Sequence, residues 1–218
     1  MQIGIDLGAT KIESVLLDEN GKEHLREREK SPQDYSKTLT SIKNIVNKIE
    51  KKFAKKFNVG VCHPGSIPSD TGLLKNANNS PWLNEKPFQK DISKLLNRTI
   101  YCENDANCFA LSEAKDGSAS HYKIVFGVIL GSGCGGGLVV DKKIISGTNN
   151  LSGEWGHNPL PFYGINEDIS VLQSTMVPNL DIEKFISGKG LEALYYENFK
   201  KKKQIKKYFP KKMKIQNL

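Results

Sequence analysis

The first segment whose residues could do chemistry spans residues 4–11 and joins an apolar run to a turn of small residues. A carboxylate at the end of a buried strand, such as Asp6, is costly unless it has a partner. The small residues after it would let a phosphate approach backbone N–H groups, and a magnesium ion that accompanies ATP would face the carboxylate. An ordinary hairpin turn capped by Asp6 is the alternative. The candidate phosphate-binding residues are Gly4, Asp6, Gly8, Ala9, Thr10 and Lys11.

A second glycine-rich segment, residues 131–137, directly follows an apolar run. Glycine lets a backbone approach a ligand closely, and phosphate is the ligand that such N–H groups suit best. A mobile hairpin loop without a ligand is the alternative. The candidate residues are Gly131, Ser132, Gly133, Gly135, Gly136 and Gly137.

Between these two segments, Glu103-Asn104-Asp105-Ala106-Asn107 marks the passage from a predicted strand to a predicted helix. Asp105 could be a plain helix cap, because aspartate is a preferred capping residue. It could also be a base that accepts the proton of a sugar hydroxyl, since phosphoryl transfer depends mainly on alignment and charge. Asn104 would then hydrogen-bond a neighbouring hydroxyl.

Three more side chains could bind sugar hydroxyls. Glu154 and His157 lie close together in the chain, and one could accept from and the other donate to vicinal hydroxyls. Glu183 lies just before a predicted helix. A surface glutamate, a structural histidine and an exposed helix face are the respective alternatives.

The elements that must position these residues follow an α/β order. Three strands joined by short turns predict an antiparallel meander, and apolar spacing predicts a helix after it. A strand, a long loop over residues 63–87, and a helix, strand and helix complete a first unit, and a hairpin begins a second. The predicted elements are Gln2 to Leu7, Ile12 to Asp18, Glu23 to Glu29, Tyr35 to Phe53, Asn58 to Cys62, Phe88 to Leu96, Thr99 to Cys102, Ala106 to Ala114, Lys123 to Leu130, Gly137 to Val140, Lys143 to Ile145 and Ser187 to Phe199.

The net charge of +8 comes from the end of the chain, because residues 200–218 hold nine lysines and no acidic residue. A basic run in one terminal segment is more typical of a solvated tail than of a nucleic-acid-binding face, so we expect no nucleic-acid partner. The longest uncharged run, residues 124–140, is broken by glycines and does not predict a membrane span. Without a visible signal peptide or a C-x-x-C pair, we expect a reduced, cytoplasmic protein.

The order and spacing of these segments resemble the ROK family of repressors, open reading frames and kinases. Residues 6–11 and 103–107 lie where that family has its first phosphate loop and its catalytic aspartate. The residues that match the family signature are Leu130, Gly133-Cys134-Gly135-Gly136-Gly137-Leu138, Gly147, Gly153 and Gly156-His157. The resemblance covers residues 2 to 199.

The resemblance implies an α/β, actin-like ATPase (ribonuclease H-like) fold, with two lobes of mixed sheet that close over ATP and a hexose. It implies that Asp105 is the base and that the two glycine segments hold the phosphates, with Ser132 in place of a more usual threonine. The sugar ligands that it implies are Asn78, Asn79, Asn104, Asp105, Glu154, His157 and Glu183.

The substrate is a finer question, because fold and family do not fix it. Residues 76–84 and 154–161 resemble the bacterial fructokinase branch, and the N-acetylglucosamine kinase branch is the next most similar. We therefore expect phosphorylation of fructose at its 6-hydroxyl by ATP and magnesium, with N-acetylglucosamine or glucose as the alternative. Only five residues precede Asp6, which leaves no room for the DNA-binding module of the family's repressors.

The chain departs from the family pattern in two places. Most relatives carry a C-x-C-G-x-x-G-C cluster just before the position of Glu183, which binds zinc together with the histidine that aligns with His157. No cysteine follows Cys134 here, so we expect no zinc, because one histidine cannot build a four-coordinate site.

The second departure is the lysine-rich end, where relatives continue into the rest of a second lobe. We expect an N-terminal lobe over residues 1–117, an incomplete C-terminal lobe over residues 118–199 and a tail over residues 200–218. A poor kinase is expected from such a chain, and a non-catalytic sugar-binding remnant is the alternative class. A homodimer is left open.

Overall fold

The computed structural model describes residues 1–131, 133–148, 150–159 and 181–199. Ser132 and the lysine-rich tail lie outside the described residues. The strands are β1 (Gln2–Leu7), β2 (Lys11–Leu17), β3 (Glu23–Lys30), β4 (Asn58–His63), β5 (Tyr101–Asn104), β6 (Ile124–Leu130), β7 (Cys134–Val140) and β8 (Lys143–Ile144). The helices are α1 (Tyr35–Phe53), α2 (Phe88–Leu96), α3 (Asp105–Lys115), α4 (Ile182–Ile186) and α5 (Gly188–Phe199), with 3₁₀ turns at Pro81–Leu83 and Trp155–His157.

The first unit is a five-stranded mixed sheet in the order β3-β2-β1-β4-β5. Strands β1, β2 and β3 form the predicted antiparallel meander. Strands β1 and β4 pair in parallel, as do β4 and β5. The carboxyl ends of β1, β4 and β5 therefore meet at one edge of the sheet, which is where the predicted chemistry lies.

The main core lies between this sheet and helices α1 and α2. Alternate residues of β1 point into it, since Ile3, Ile5 and Leu7 are each about 1% exposed. Helix α1 presents the apolar stripe that its spacing predicts, with Ile42, Ile45, Val46 and Ile49 buried. The helix begins at Asp34, whose side chain accepts a hydrogen bond from Lys37 N at 2.8 Å and so satisfies one free N–H group of the first turn.

A buried ion pair ties α1 to the neighbouring segments. The Glu50 carboxylate accepts from both terminal nitrogens of Arg98, at 2.6 and 3.0 Å, and from Phe57 N at 3.0 Å. Burial alone would raise the pKa of Glu50, but the bonds from Arg98, Lys56 and Phe57 lower it to about 2. The charge is thus well compensated within the fold.

The second unit is a three-stranded antiparallel sheet, β6-β7-β8, with α3 packed on one face. Ala110 and Ala114 of α3 meet Val125 and Val139 in a small core. Helix α3 precedes the predicted boundary near residue 117 yet packs mainly on the second sheet, and the division into lobes stays a prediction. The opposite face of β6 leaves Ile124, Phe126, Val128 and Leu130 exposed. None of the described helices is long and apolar enough to cross a membrane.

Candidate active site

The site is built where three parallel strands end side by side. Asp6 is the next-to-last residue of β1, and it pairs with Cys62 of β4, which in turn pairs with Glu103 of β5. One residue further, His63 pairs with Asn104. Asp105 follows directly as the first residue of α3. The fold therefore brings Asp6 and Asp105 to the same edge, although they lie far apart in the sequence.

Asn104 caps helix α3. Its Oδ1 accepts from Ala106 N at 2.9 Å and from Asn107 N at 3.1 Å. Its Nδ2 donates to Gly65 O at 3.0 Å and to Asp105 Oδ1 at 3.1 Å. Asp105 Oδ1 also accepts from Ala106 N at 2.9 Å, but Asn104 takes the N–H groups of two residues and is therefore the main cap of α3, while its Nδ2 orients the Asp105 carboxylate from the side.

Both carboxylates at this edge, Asp6 and Asp105, have raised pKa values. Desolvation raises the pKa of Asp105. Desolvation also raises the pKa of Asp6, with further contributions from the nearby charges of Asp105 and Glu13. A cation bound at this edge would offset the repulsion between the charges of Asp6 and Asp105.

That environment fits magnesium, which is held by one or two carboxylates and completed by water and phosphate oxygens. Within the described ranges, no three His, Cys, Asp or Glu side chains cluster closely enough to hold a metal by themselves. Asp6 remains the candidate magnesium-side residue.

The first predicted phosphate segment forms a tight turn between β1 and β2. Gly8 N donates to Lys11 O at 2.9 Å, and Ala9 and Thr10 form the bend. A side chain on Gly8 would place Cβ 3.0 Å from Lys11 O, so the turn favours glycine. Gly4 was predicted with the phosphate-binding turn, but it lies inside β1, in register with Gly60. A Cβ on Gly4 would lie 3.2 Å from Val15 Cγ1, so the missing side chain leaves room for Val15. Gly4 belongs to the packing of the sheet and not to the turn.

The turn in the second glycine segment contains fewer residues than the sequence predicts. Gly131 N donates to Gly133 O at 2.9 Å, and β7 begins at the next residue. Gly135 and Gly136 were expected in the turn and Gly137 at the start of a strand; all three pair with β6 as part of β7.

Packing explains why the last two of these glycines have no side chain. A Cβ on Gly137 would lie 2.7 Å from Ala106 O and 2.8 Å from Ala110 Cβ of α3. A Cβ on Gly136 would lie 2.8 Å from Trp155 and 2.9 Å from Gly153 O. Among the described residues of this segment, Gly131 and Gly133 remain in the turn as candidates for holding a phosphate.

Glu183 supports this turn directly. Its Oε2 accepts from Cys134 N at 2.7 Å, and a Cβ on Gly133 would lie 2.7 Å from the same oxygen. Gly188 N, at the start of α5, donates to Gly131 O at 2.8 Å. Glu183, which is predicted as a sugar ligand, therefore also fixes the glycine turn from the side of α4. For a sugar contact it would use the other carboxylate oxygen, Oε1.

Glu154 directly precedes the 3₁₀ turn Trp155–His157, and His157 is its last residue. Trp155 Nε1 donates to Gly135 O at 2.9 Å, which anchors the turn on β7. His157 Nε2 lies 3.7 Å from Glu154 Oε2, and its Nδ1 lies 3.6 Å from Asp181 Oδ2. The neighbours of His157 are thus carboxylates.

The four cysteines are all free thiols. No cysteine–histidine cluster surrounds His157 in the described part of the chain, so the residues present do not fit the zinc site that the family resemblance would suggest.

Electrostatics link the two units. Desolvation raises the pKa of Glu154, and the charges of Glu183 and Asp105 raise it further, against a lowering by His157. Glu154 of the second unit therefore lies within electrostatic reach of Asp105 at the edge of the first. Asn78 and Asn79, by contrast, are exposed in the loop between β4 and α2.

Sequence reasoning missed His63 and Gly65. His63 is only 1% exposed, and its ring packs edge-on against Phe88 at 6.1 Å between ring centroids. Gly65 has φ of +78°, and a Cβ there would lie 2.1 Å from Lys75 O. A histidine and then Pro64-Gly65 directly after a buried strand was the available signal, because a polar residue at such a strand end needs a purpose.

Comparison with known proteins identifies the family to which this chain belongs. A sequence profile of the ROK family matches residues 2–216, so the chain belongs to the ROK family. It is 37% identical over 200 residues to an N-acetyl-D-glucosamine kinase of Histophilus somni, an alignment that covers 89% of this chain and 65% of that protein. The chain thus spans about two-thirds of the length of that curated relative.

Solved structures agree on the fold, which is that of the actin-like ATPases with an incomplete second lobe. A ROK hexokinase from Thermus thermophilus superimposes with a TM-score of 0.77 at 21% identity, covering 95% of this chain and 67% of that one. A ROK glucokinase from Streptomyces griseus in complex with glucose and AMPPNP gives a TM-score of 0.70 at 22% identity, covering 91% and 62%.

Proposed function

We propose that this chain carries the sugar-phosphorylating site of an ATP-dependent hexose kinase, with Asp105 as the general base. The observation that carries the proposal is the position of Asp105. It stands at the shared strand edge, held by Asn104 Nδ2 at 3.1 Å, with its pKa raised by desolvation and with Glu154 of the second unit in electrostatic reach.

The raised pKa suits the role of a base. A carboxylate with a higher pKa is more basic, yet it stays largely ionised near neutral pH when the shift is moderate. A sugar hydroxyl placed against Asp105 would give up its proton to the carboxylate as its oxygen attacks the γ-phosphorus of ATP, and the bond from that phosphorus to the β,γ-bridging oxygen would break to release ADP. Most of the rate in phosphoryl transfer comes from alignment and charge stabilisation, so a single well-placed carboxylate is enough on the sugar side.

The nucleotide side fits the two turns. The N–H groups of Gly8 and Gly131 bond within their own turns, so Ala9, Thr10 and Gly133 are the described residues whose backbone N–H groups would face phosphate oxygens, which is how glycine-rich turns bind anions. Asp6 would hold magnesium together with those phosphates, and the metal would neutralise charge that develops on the transferred group. Gly135, Gly136 and Gly137 have no part in this proposal, because they belong to β7.

N-acetylglucosamine is the sugar that the comparisons favour. The curated relative described above is named an N-acetyl-D-glucosamine kinase, whereas the expected preference for fructose finds no support in that name. Glu154 and His157 would bind its ring hydroxyls.

A panel assay tests this proposal. ADP formation from ATP is measured with N-acetylglucosamine, glucose, mannose and fructose, each with magnesium. The proposal expects saturable, sugar-dependent ADP formation with the highest kcat/KM for N-acetylglucosamine. Turnover that is the same with and without every sugar would contradict the proposed function, and a clear preference for fructose would contradict only the sugar assignment.

A further inference from the structure

A row of charged side chains crosses the first sheet beside Asp6. Asp6 of β1 lies directly opposite Glu13 of β2, and Glu13 lies directly opposite Arg28 of β3. Residues that pair across neighbouring strands point to the same face of a sheet, so the three side chains share one face. That face is opposite the main core, because the adjacent residues Leu7 and Ile12 are buried in the core. The row therefore begins at the candidate magnesium-side residue.

Two arginines occupy the carboxylate of Glu13. Its Oε1 accepts from Arg26 Nη1, and its Oε2 accepts from Arg28 Nε at 2.6 Å and also from Arg28 Nη2. The Glu13 side chain is 20% exposed, so these bonds are partly shielded from water. Both carboxylate oxygens are thus engaged by arginine, which makes Glu13 a poor metal ligand although it stands next to Asp6 in the sheet.

Asp6 has no such partner. Its carboxylate makes no hydrogen bond or ion pair with any residue that the structure describes. Desolvation raises the pKa of Asp6, the charges of Asp105 and Glu13 raise it further, and the charge of Arg28 lowers it. Arg28 is therefore close enough for its charge to act on Asp6, although its guanidinium is bonded to Glu13.

Arg28 can reach Asp6 once Glu13 no longer holds it. The two residues are separated by two strand spacings, or about 9.5 Å, since neighbouring strands lie about 4.8 Å apart. The side chains of an arginine and an aspartate that extend toward each other on a shared face cover that distance. A guanidinium in this position forms charge-assisted bonds with the carboxylate oxygens, which are the atoms that a magnesium ion needs.

We propose that Glu13 is a positioning residue that keeps Arg28 away from Asp6 and so leaves Asp6 open to magnesium. Like charges directly opposite each other destabilise an antiparallel pair, so a glutamate beside Asp6 needs a purpose. Holding Arg28 is that purpose, and Arg28 in turn offsets the repulsion between the two carboxylates. The inference rests on the proposed function, because it takes Asp6 to hold magnesium together with the phosphates of ATP.

Nucleotide binding without sugar tests this role independently of catalysis. The dissociation constant of ATP is measured by titration calorimetry on the 218-residue chain, once with magnesium and once with a chelator that removes it. The ratio of the two constants reports how much the metal strengthens binding. We expect Glu13→Gln to reduce this ratio by about fivefold, because the freed Arg28 pairs with Asp6 and an ion pair near the surface is worth up to about that factor.

Two double variants of equal charge locate the effect. Glu13→Gln with Arg28→Gln removes the freed arginine and should restore the wild-type ratio. Glu13→Gln with Arg26→Gln has the same net charge but keeps Arg28, so its ratio should stay as low as that of Glu13→Gln alone. Glu23→Gln is the single-residue control, because Glu23 bonds Arg26 at 2.6 Å, and it should leave the ratio unchanged. Circular dichroism confirms that each variant is folded.

Three results overturn the role of Glu13. They are a wild-type chain whose ATP affinity does not respond to magnesium, an unchanged ratio in Glu13→Gln, and equal recovery in the two double variants. Equal recovery would mean that only the net charge of this face matters.

The sugar panel assay separates this inference from the proposed function. If the ratio falls and recovers as expected but no sugar is phosphorylated, the positioning role of Glu13 stands and the proposed function fails. If sugars are phosphorylated and the ratio is the same in every variant, the positioning role fails and the proposed function stands.

Discussion

At the scale of single residues, the site depends on which of two neighbours caps a helix. Sequence reasoning could identify Asn104 and Asp105 as a pair at a strand end, but both residue types are good caps. Only the structure shows that Asn104 takes the backbone N–H groups of Ala106 and Asn107. Asp105 is thereby positioned at the strand edge that also holds Asp6, and its raised pKa follows from that place.

The pH dependence of activity should reflect this raised pKa. Asp105 must be ionised to accept a proton, so kcat/KM should fall as the pH is lowered through its pKa. Because desolvation raises that pKa above the ordinary value of 3.8, the loss should begin at a higher pH than for an ordinary aspartate. The measurement is kcat/KM for the best sugar from pH 4 to 8, with circular dichroism at each pH. A flat profile over the range in which the protein stays folded would refute the role of Asp105 as base.

At the scale of elements, the most informative error concerns the glycines of residues 131–137. A dense run of glycines favours a loop on composition alone, even where some of the residues form a strand, because composition does not show what packs against each Cα. In the structure, α3 crosses β7 so closely that Gly137 has no room for a methyl group. The strand alternation of β1 and the apolar stripe of α1 were predictable, since burial on one face leaves a periodic trace.

Replacing Gly137 should therefore destabilise the second unit. Gly137→Ala forces Ala106 O and Ala110 Cβ apart from a new Cβ at 2.7 and 2.8 Å, and overpacking of this kind costs about 1–3 kcal/mol. Gly60→Ala is the matched control, because Gly60 also lies in a strand and its new Cβ would meet only Tyr101 O at 4.0 Å. Urea unfolding measures both. Equal free energies of unfolding for the two variants would show that the close contact of α3 with β7 is wrong.

The ion pair of Glu50 and Arg98 is the element-level feature with the clearest pH signature. The pKa of Glu50 is lowered to about 2, so its contribution to stability is present above its unfolded pKa and is lost as the pH falls toward 2. Arg98→Ala should cost about 3–5 kcal/mol at pH 7, because it leaves a buried carboxylate without its main partner. Glu50→Gln should remove most of this acid dependence.

A surface ion pair provides the comparison. Arg28 pairs with Glu13 on the outside of the sheet, with 57% of the Arg28 side chain exposed, so Arg28→Ala should cost less than about 1 kcal/mol. The free energy of unfolding is measured in urea at pH 7 and again at pH 4. An Arg98 variant no less stable than the Arg28 variant would mean that the buried pair contributes little.

At the scale of the whole molecule, the sequence predicted the mixed sheet and the family, and the structure supplied the way the units meet. The resemblance assigned Glu154 and Glu183 to the sugar, but it did not show that Glu183 holds the glycine turn through Cys134 N. The element pattern predicted a lobe boundary near residue 117, after α3; in the structure α3 packs on the second sheet and so carries Asp105 between the two units, and the division into lobes stays a prediction. Such cross-unit contacts involve residues remote in sequence, for which local pattern holds no information.

The replacement of Asp105 by asparagine tests the central claim most directly. Asp105→Asn keeps the size of the side chain and leaves the cap at Asn104 in place, so the fold and the sugar dissociation constant should change little. Sugar-dependent ADP formation should fall by about 10²–10⁴-fold, the usual loss when a general base is removed. Asp116→Asn, at the other end of the same helix, is the control and should keep the wild-type rate. An Asp105→Asn enzyme that retains the wild-type rate would contradict the account, and would leave Asp105 as a structural residue at the start of α3.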